Sequence, residues 1–255
     1  MTQWNPTVYE RYKAQRDRPA LDLMLQIPRD LEPTEIWDLG CGTGEHAAVL
    51  AARHPKARVH GLDSSAQMLE AARRRTADID WRLGDLAAFA PERPVDLIFS
   101  NAALQWVGDH DGLIPRLASV LSPGGVLACQ MPDSRKGEWR ALLRETAADP
   151  RWADALQGVE RVGMLSAEAY YDLLAPTCAV DIWSTDYLHE LDGPNAVLEW
   201  TRGTSLQPYL QRLGDEADAF EAAFAERLRR AYPQRADGVT LMAFSRLFIL
   251  ARRDA

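Results

Sequence analysis

The sequence predicts an α/β fold: a doubly wound, mostly parallel sheet of seven strands with a helical lid inserted among its C-terminal strands. Three observations predict it. Strand-like and helix-like segments alternate with short connections through residues 31–133, the pattern of a parallel sheet covered by helices. Gly40, Gly42 and Gly44 fall at alternate positions where the first strand-like run ends. Glycine at such a turn lets backbone approach a ligand closely. After Pro132 helix-period segments dominate, but strand-like runs return at 179–189 and 239–253.

The elements come in order. Asn5-Pro6 reads as an N-cap followed by proline at the first helical position, opening a helix to about Gln15. Arg18-Pro19 is expected to break it, and Ala20–Gln26 to start another. Ile36–Leu39 is an apolar run ending at the glycine turn, so it is the first strand, and His46–Arg53 its helix. Arg58–Leu62 and Ser65–Arg75 are the second such pair. Asp80–Leu83 is the third strand and Val95–Ser100 the fourth, followed by a helix over Leu113–Leu121. Ser122-Pro123-Gly124-Gly125 is a turn, and Val126–Gln130 the fifth strand. Gly137–Ala148, Ala167–Leu174 and Asp215–Arg230 carry helical apolar spacing. Asp181–Leu188 and Val239–Ala251 complete the sheet. The whole of 1–255 reads as one domain. It has an N-terminal helical segment (1–30), a ligand-binding core (31–133), lid elements (134–178 and 190–238) and the two late strands.

Bulk properties narrow the function. The 255 residues are 47% apolar, enough for a substantial core. The net charge of −8 argues against nucleic acid or an anionic membrane as the main partner. A pocket, however, is governed by local charge. Lys13, Lys56 and Lys136 are the only lysines, so arginine supplies nearly all the positive charge. Cys41, Cys129 and Cys178 are odd in number and far apart, as free thiols of a reducing compartment would be. The N-terminus has no apolar signal core and no apolar run approaches ~18 residues. A cytoplasmic protein is expected, with no metal and no obligate protein partner inferred.

Four signals stand at the C-terminal ends of successive predicted strands. Asp38 precedes Gly40 and Gly42. Asp63 ends the second strand, about 20 residues after the turn, where an acid can accept both hydroxyls of a ribose. Asp85-Leu86 comes after the third strand; an acid there can accept from an adenine amino group, and the Leu86 N–H can donate to a ring nitrogen. Ser100-Asn101-Ala102-Ala103-Leu104-Gln105-Trp106 comes after the fourth. Each has a plainer explanation. Asp63 before Ser64-Ser65 can cap a helix, Gly84-Asp85 can be a turn pair, and Asn101 can satisfy backbone groups. Their regular placement on four strand ends is what makes a nucleoside site of them. A dinucleotide fingerprint would need glycine at 45, where Glu45 would repel a pyrophosphate.

On these residues the chain resembles Rossmann-like class I S-adenosylmethionine (SAM) methyltransferases over roughly residues 30–132. Over nearly its whole length it is similar to the trans-aconitate 2-methyltransferases. The resemblance rests on Trp4-Asn5-Pro6, Arg16-Asp17-Arg18-Pro19-Ala20, Asp96–Ala102, Leu104-Gln105-Trp106, Asp109-His110 and Gly125–Ala128. It continues through Gln130-Met131-Pro132-Asp133, Tyr170-Tyr171-Asp172, Val180–Trp183 and Arg246-Leu247-Phe248. Thr43 stands where the family often has proline, a departure that leaves the flanking glycines in place. The resemblance implies methyl transfer from SAM to one carboxylate of trans-aconitate, giving a monomethyl ester and S-adenosylhomocysteine. It implies cofactor contacts from Arg16, Asp38, Gly40, Gly42, Asp63, Ser64, Met68, Asp85, Leu86, Asn101, Ala102 and Gln105. Substrate contacts are expected from Arg18, Trp106, His110, Gln130, Tyr170, Arg202 and Arg246.

The chemistry agrees with that set. A carboxylate with an ordinary pKa near ~4 is ionised at neutral pH, so no general base is nominated. The nucleophile must lie about 3 Å from the methyl carbon, in line with the leaving sulfur. Anion and sulfonium neutralise each other as the bond forms, so a dry site helps. A substrate with three carboxylates needs arginine forks. Arg18 stands at a helix break, Arg202 in a polar interruption, and Arg246 within an otherwise apolar strand. Three other readings remain open: a methyltransferase for a malonyl group on a carrier protein, a non-catalytic SAM-binding module and an NAD-linked dehydrogenase. The first should carry a basic face; the last sits poorly with Glu45 and Asp85.

Overall fold

The computed structural model describes residues 13–76, 78–133, 135–159, 164–202 and 205–255, with side chains from Asp17 onward. Trp4-Asn5-Pro6, the helix expected to start there and the side chain of Arg16 lie outside the described residues. The chain divides into two compact units. One comprises 17–132, 163–185 and 246–255; the other takes in 133–162 and 186–245.

The helix α1 (Lys13–Gln26) enters the first unit at Asp17 and carries Pro19 in its interior instead of breaking there. Ala20, Leu23, Met24 and Ile27 are all buried, a stripe at helical spacing. Burying each large side chain of that stripe contributes roughly 1.5–3 kcal/mol. Together they exceed the ~3 kcal/mol cost of an interior proline. Then come β1 (Glu35–Leu39), α2 (Glu45–Arg53), β2 (Arg58–Asp63), α3 (Ala66–Arg75), β3 (Asp80–Leu83) and β4 (Val95–Asn101), as the alternation predicts. The next helix, α4 (His110–Ser119), begins three residues earlier than expected, because Asp109 caps it by accepting from the Gly112 N–H. Leu121, expected in that helix, opens β5 (Leu121–Pro132). The Ser122–Gly125 turn is an excursion within β5: the pairing jumps from Val95↔Leu121 to Leu97↔Val126.

After β5 come α5 (Glu138–Ala147), α6 (Ala167–Leu174), β6 (Cys178–Asp192), α7 (Ala196–Arg202), α8 (Gln207–Leu213), α9 (Ala217–Ala231) and β7 (Val239–Arg253). The seven strands form one sheet in the order β3-β2-β1-β4-β5-β7-β6. The pairs among β1 to β5 are parallel and β7 runs antiparallel to β5. The order reverses between β1 and β4, the switch point at which such sheets bind ligands beyond the strand ends.

Side chains alternate between the two faces of a strand. One face of the sheet carries Trp37, Leu39, Ile98, Leu127, Cys129, Leu247 and Ile249. They are buried in one cluster with Leu113, Ile114 and Leu117 of α4 and Tyr170 and Leu174 of α6. The second unit has its own core, in which Trp139, Leu143, Trp152, Trp200, Phe220, Phe224 and Leu228 pack together. No helix of the described residues is long and apolar enough to cross a membrane.

Candidate active site

The register of the first unit brings the predicted site residues to one face and one edge. Asp38 of β1 lies opposite Gly61 of β2 and Phe99 of β4. Asn101 lies opposite Gln130, Gln130 opposite Phe248, and Pro132 opposite Arg246. Counting by twos along each strand puts Asp38, Asp63, Phe99, Asn101, Gln130 and Arg246 on the same face. This is the face opposite the α4–α6 core. Trp183 of β6 stacks on Phe248, with ring centroids 4.9 Å apart and planes 7° from parallel.

The glycine turn is tied to β2 by hydrogen bonds. Gly40 and Cys41 both donate to the Leu62 carbonyl, at 2.8 and 3.0 Å. Gly40 has φ +76°, and a Cβ there would lie 2.2 Å from that of Ala103, so only glycine lets the two loops meet. Asp63 accepts from the Gly42 N–H through one oxygen and from the Ser65 N–H through the other, each at 2.8 Å. The N-cap of α3 is Ser65, whose hydroxyl accepts from Met68 N–H at 3.3 Å. Asp63 therefore braces both the glycine turn and the start of α3. Each carboxylate oxygen keeps further lone-pair capacity for a ligand. Asp85 caps the short 3₁₀ turn Leu86–Ala88 through the Ala87 N–H, also at 2.8 Å, and is exposed. Ser64 is exposed and Met68 half-buried.

Glu45 does not act alone. Arg75 of α3 reaches it at 2.9 Å and donates through Nε to the Thr43 carbonyl at 3.3 Å. The acid at the head of α2 is thus partly neutralised, and its repulsion of a pyrophosphate is weaker than the sequence alone suggests.

At the strand ends stands a set of polar atoms without hydrogen-bond partners. Among the described residues, Asp38 Oδ2, Asn101 Oδ1, Gln105 Oε1 and both amide atoms of Gln130 are buried and unpaired. Gln130 has no solvent exposure at all. Leaving such a group unsatisfied costs about 1–3 kcal/mol, so several on one edge mark a place built to receive a polar ligand. Burial, and then the nearby charge of Asp63, push the Asp38 carboxyl up to about 7 from its ordinary value of 3.8. Burial and the same two acids hold Cys41 far above the usual thiol range, so it stays protonated. Ala102 has φ 53°, an uncommon conformation for a residue with a side chain. It is held there by two bonds: its N–H donates to the Gln130 carbonyl at 2.9 Å, and its carbonyl accepts from Gln105 Nε2 at 2.6 Å.

The expected substrate residues divide. Gln130 and Arg246 lie on the site face, Arg246 being only 4% exposed. Trp106 stands after β4 and is largely exposed, a large apolar surface available to a ligand. Arg18 is solvent-exposed on α1, 3.9 Å from Asp22. His110 and Tyr170 are fully enclosed and bonded to each other, with 2.5 Å between His110 Nδ1 and the tyrosine oxygen. Arg202 belongs to the second unit. Its guanidinium is forked onto Glu221 and bonded to Glu199, and these carboxylates, Glu221 foremost, raise its pKa. Its charge is already matched there by partners 19 and three residues away along the chain.

Two residues not singled out from sequence bear on the site. His46, in the first turn of α2, sits against the site-facing Phe99 with ring centroids 5.9 Å apart and lies 3.9 Å from Asp17. Its place directly after Glu45 in the glycine-turn helix was the available signal. Trp81 of β3 fills the space that a Cβ on Gly44 or on Gly61 would occupy, 2.4 Å from either. It serves the site as a packing surface behind the turn.

This fold and this strand-end site define a class I methyltransferase domain. Residues 36–125 match the family model described as a methyltransferase domain. Over 260 residues the chain is 45% identical to the trans-aconitate 2-methyltransferase of Variovorax paradoxus (strain S110), covering 100% of both. The chain belongs to the trans-aconitate 2-methyltransferase family. Among solved structures, the YcgJ protein of Bacillus subtilis superimposes with a TM-score of 0.61 at 16% identity, over 93% of this chain and 99% of that one. Phosphoethanolamine N-methyltransferase 2 of Haemonchus contortus, solved with S-adenosylhomocysteine, gives 0.57 at 18% identity, over 93% and 53%.

Proposed function

We propose that this protein is a SAM-dependent carboxyl methyltransferase that converts trans-aconitate to a monomethyl ester in the cytoplasm. The observation that carries the reading is the row of buried, unpaired polar atoms on Asp38, Asn101, Gln105 and Gln130, beside a glycine turn. The first three are acceptors, matched to a cofactor that brings an ammonium and a sulfonium. Gln130 offers both a donor and an acceptor, suited to a carboxylate or carboxylic acid.

SAM supplies an electrophilic methyl group. In this reading Asp63 accepts the ribose hydroxyls, Asp85 and Leu86 take the adenine edge, and Gly40 and Gly42 let backbone come close. Ser64 and Met68, which follow Asp63 in the chain, are assigned to the same cofactor. Asp38 and Asn101 accept from the ammonium, Ala102 and Gln105 flank the reacting methyl, and Arg16 takes the cofactor's carboxylate. Gln130 and Arg246 orient the substrate carboxylates, Arg18 meets the substrate at the rim, and Trp106 excludes water. The substrate is already an anion, so no side chain has to remove a proton. A small polyacid is favoured over a malonyl carrier protein by the net charge of −8, which would repel an acidic carrier.

The test is direct. Purified protein with methyl-labelled SAM and trans-aconitate is expected to yield a base-labile labelled ester. Label passing only to a malonyl carrier would select the rival enzyme, and SAM binding without transfer to any polyacid would reduce the protein to a binding module.

The raised pKa of Asp38 gives a second expectation. A carboxyl whose folded pKa is above its unfolded value binds more protons folded than unfolded between about pH 4 and 7. Its contribution to stability therefore falls as pH rises through that window. An ammonium beside Asp38 favours the ionised form and draws the pKa back down. SAM affinity should then rise between pH 6 and 8 with release of a fraction of a proton, measurable by calorimetry in buffers of different ionisation enthalpy. Asp38→Asn should abolish both the slope and the release; a slope that survives the substitution removes Asp38 from the ammonium site.

A further inference from the structure

The sequence places His110 and Tyr170 among substrate contacts, but their surroundings support another role. His110 is 1% exposed and Tyr170 not at all, and, unlike the equally buried Gln130, their polar atoms are engaged by protein: each other, the Leu104 carbonyl and the Leu165 N–H. His110 Nε2 lies 2.9 Å from the Leu104 carbonyl and Nδ1 lies 2.5 Å from the Tyr170 oxygen. A carbonyl only accepts, so Nε2 must carry hydrogen. In the neutral ring Nδ1 is then the acceptor, and the Tyr170 O–H donates to it. The tyrosine oxygen in turn accepts from the Leu165 N–H at 3.2 Å. Donation runs in one direction: Leu165 N–H to Tyr170 O–H to His110, and His110 Nε2–H to the Leu104 carbonyl.

The end of that chain matters. Leu104 opens the 3₁₀ turn Leu104–Trp106, which carries Gln105 and Trp106. The turn is short. Its backbone is held by Trp106 N–H to Ala103 and by Val107 N–H to the same Leu104 carbonyl that His110 reaches. Two residues before it stands Ala102 at positive φ, bonded to both Gln105 and the Gln130 carbonyl. A strained residue keeps its conformation only when its surroundings over-determine it. The hydrogen bond from His110 is a side-chain tie on this turn that comes from outside it.

We propose that His110 and Tyr170 are positioning residues. They form a buried relay that carries the placement of α6 to the Leu104–Trp106 turn and so fixes Gln105 and Trp106 for methyl transfer. The idea rests on the functional reading above, which puts Gln105 beside the reacting methyl and has Trp106 exclude water from it. It assigns no substrate contact to either member. Methyl transfer demands alignment of nucleophile, methyl and sulfur, so a small drift of this turn should cost rate and spare binding.

Tyr170→Phe keeps the ring and removes the donor. His110→Gln keeps an N–H where Nε2 stood, able to reach the Leu104 carbonyl, and leaves no acceptor at the Nδ1 position that Tyr170 meets. Loss of one such hydrogen bond corresponds to a kcat reduction of up to about tenfold. Each variant should show that loss, with KM for SAM and for trans-aconitate within about twofold of the parent. The double variant should be no slower than either single one, because both cut the same link. His110→Ala, which also frees the Leu104 carbonyl, should be slower again. Three results would each overturn the relay: KM for trans-aconitate rising tenfold at constant kcat, as for substrate contacts; multiplicative losses in the double variant; or lowered melting temperature with kcat unchanged, as for plain packing. Imidazole ¹⁵N shifts of the ligand-free protein should report the Nε2–H form of His110; the Nδ1–H form would refute the relay without reference to activity. A parent protein that fails to methylate trans-aconitate would instead refute the functional reading, leaving the tautomer measurement to judge the relay alone.

Discussion

Replacing Asp63 by alanine is expected to weaken SAM binding about 100-fold or more, from the loss of two charge-assisted hydrogen bonds of roughly 1.5–3 kcal/mol each. In the proposed reading the effect is large because both ribose hydroxyls donate to this one carboxylate. The same carboxylate also holds the Gly42 and Ser65 N–H groups at 2.8 Å. The variant should therefore lose about 1–3 kcal/mol of folding stability as well, less whatever is regained by relieving Asp38 of a neighbouring charge. The two backbone bonds are what couple this substitution to folding. Calorimetry for SAM affinity and urea unfolding of the ligand-free protein separate the two effects. A lower urea midpoint with unchanged affinity would make Asp63 a brace for the turn and nothing more.

That double duty shows where the sequence is legible. The strand ends can be read because two signals coincide there: an apolar period-2 run marks where a strand stops, and Gly, Asp or Asn marks the turn or polar site beyond it. Asp38, Asp63, Asp85 and Asn101 each stand at such a junction, and the sheet register sets three of them on one face. Sequence cannot decide between cap and ligand for Asp63. Both answers use the same acid, and the actual N-cap is the serine two residues on. The features that escape reading depend on partners far apart in the chain. Arg202 in isolation looks like a free fork, yet Glu221 nineteen residues later takes it up. His110 and Tyr170 are 60 residues apart, and only the packing of α6 shows that they enclose one another. Pro19 reads as a stop because local geometry forbids an ideal helix there; the buried stripe from Ala20 to Ile27 outweighs it. These differences share a cause: a tertiary contact overrides the local propensity.

In the proposed reading, recognition of a carboxylate substrate turns on Arg246. It interrupts an apolar run in β7, lies opposite the end of β5 and is 4% exposed. A buried guanidinium is costly to desolvate and favours an anion beside it, and the proposed substrate is an anion that would arrive at this face. Its register places it two positions from Phe248, on the face shared with Gln130 and Asn101. Methionine keeps much of the length and apolar volume of arginine while removing the charge and the fork. Arg246→Met should therefore lower kcat/KM for trans-aconitate by about 100-fold, the low end of the 2–5 kcal/mol seen when one partner of a buried charge pair is removed. The loss should appear mainly in KM, because carboxylate binding precedes transfer and persists through it. SAM affinity should stay within about twofold. Lysine at the same place should recover part of the loss, since it restores a charge without the planar fork. If affinity for SAM and for the polyacid weaken together, Arg246 is holding the end of β7 in place. Selection of a carboxylate would then rest on Gln130, whose buried amide is unpaired among the described residues and whose replacement by leucine becomes the decisive variant.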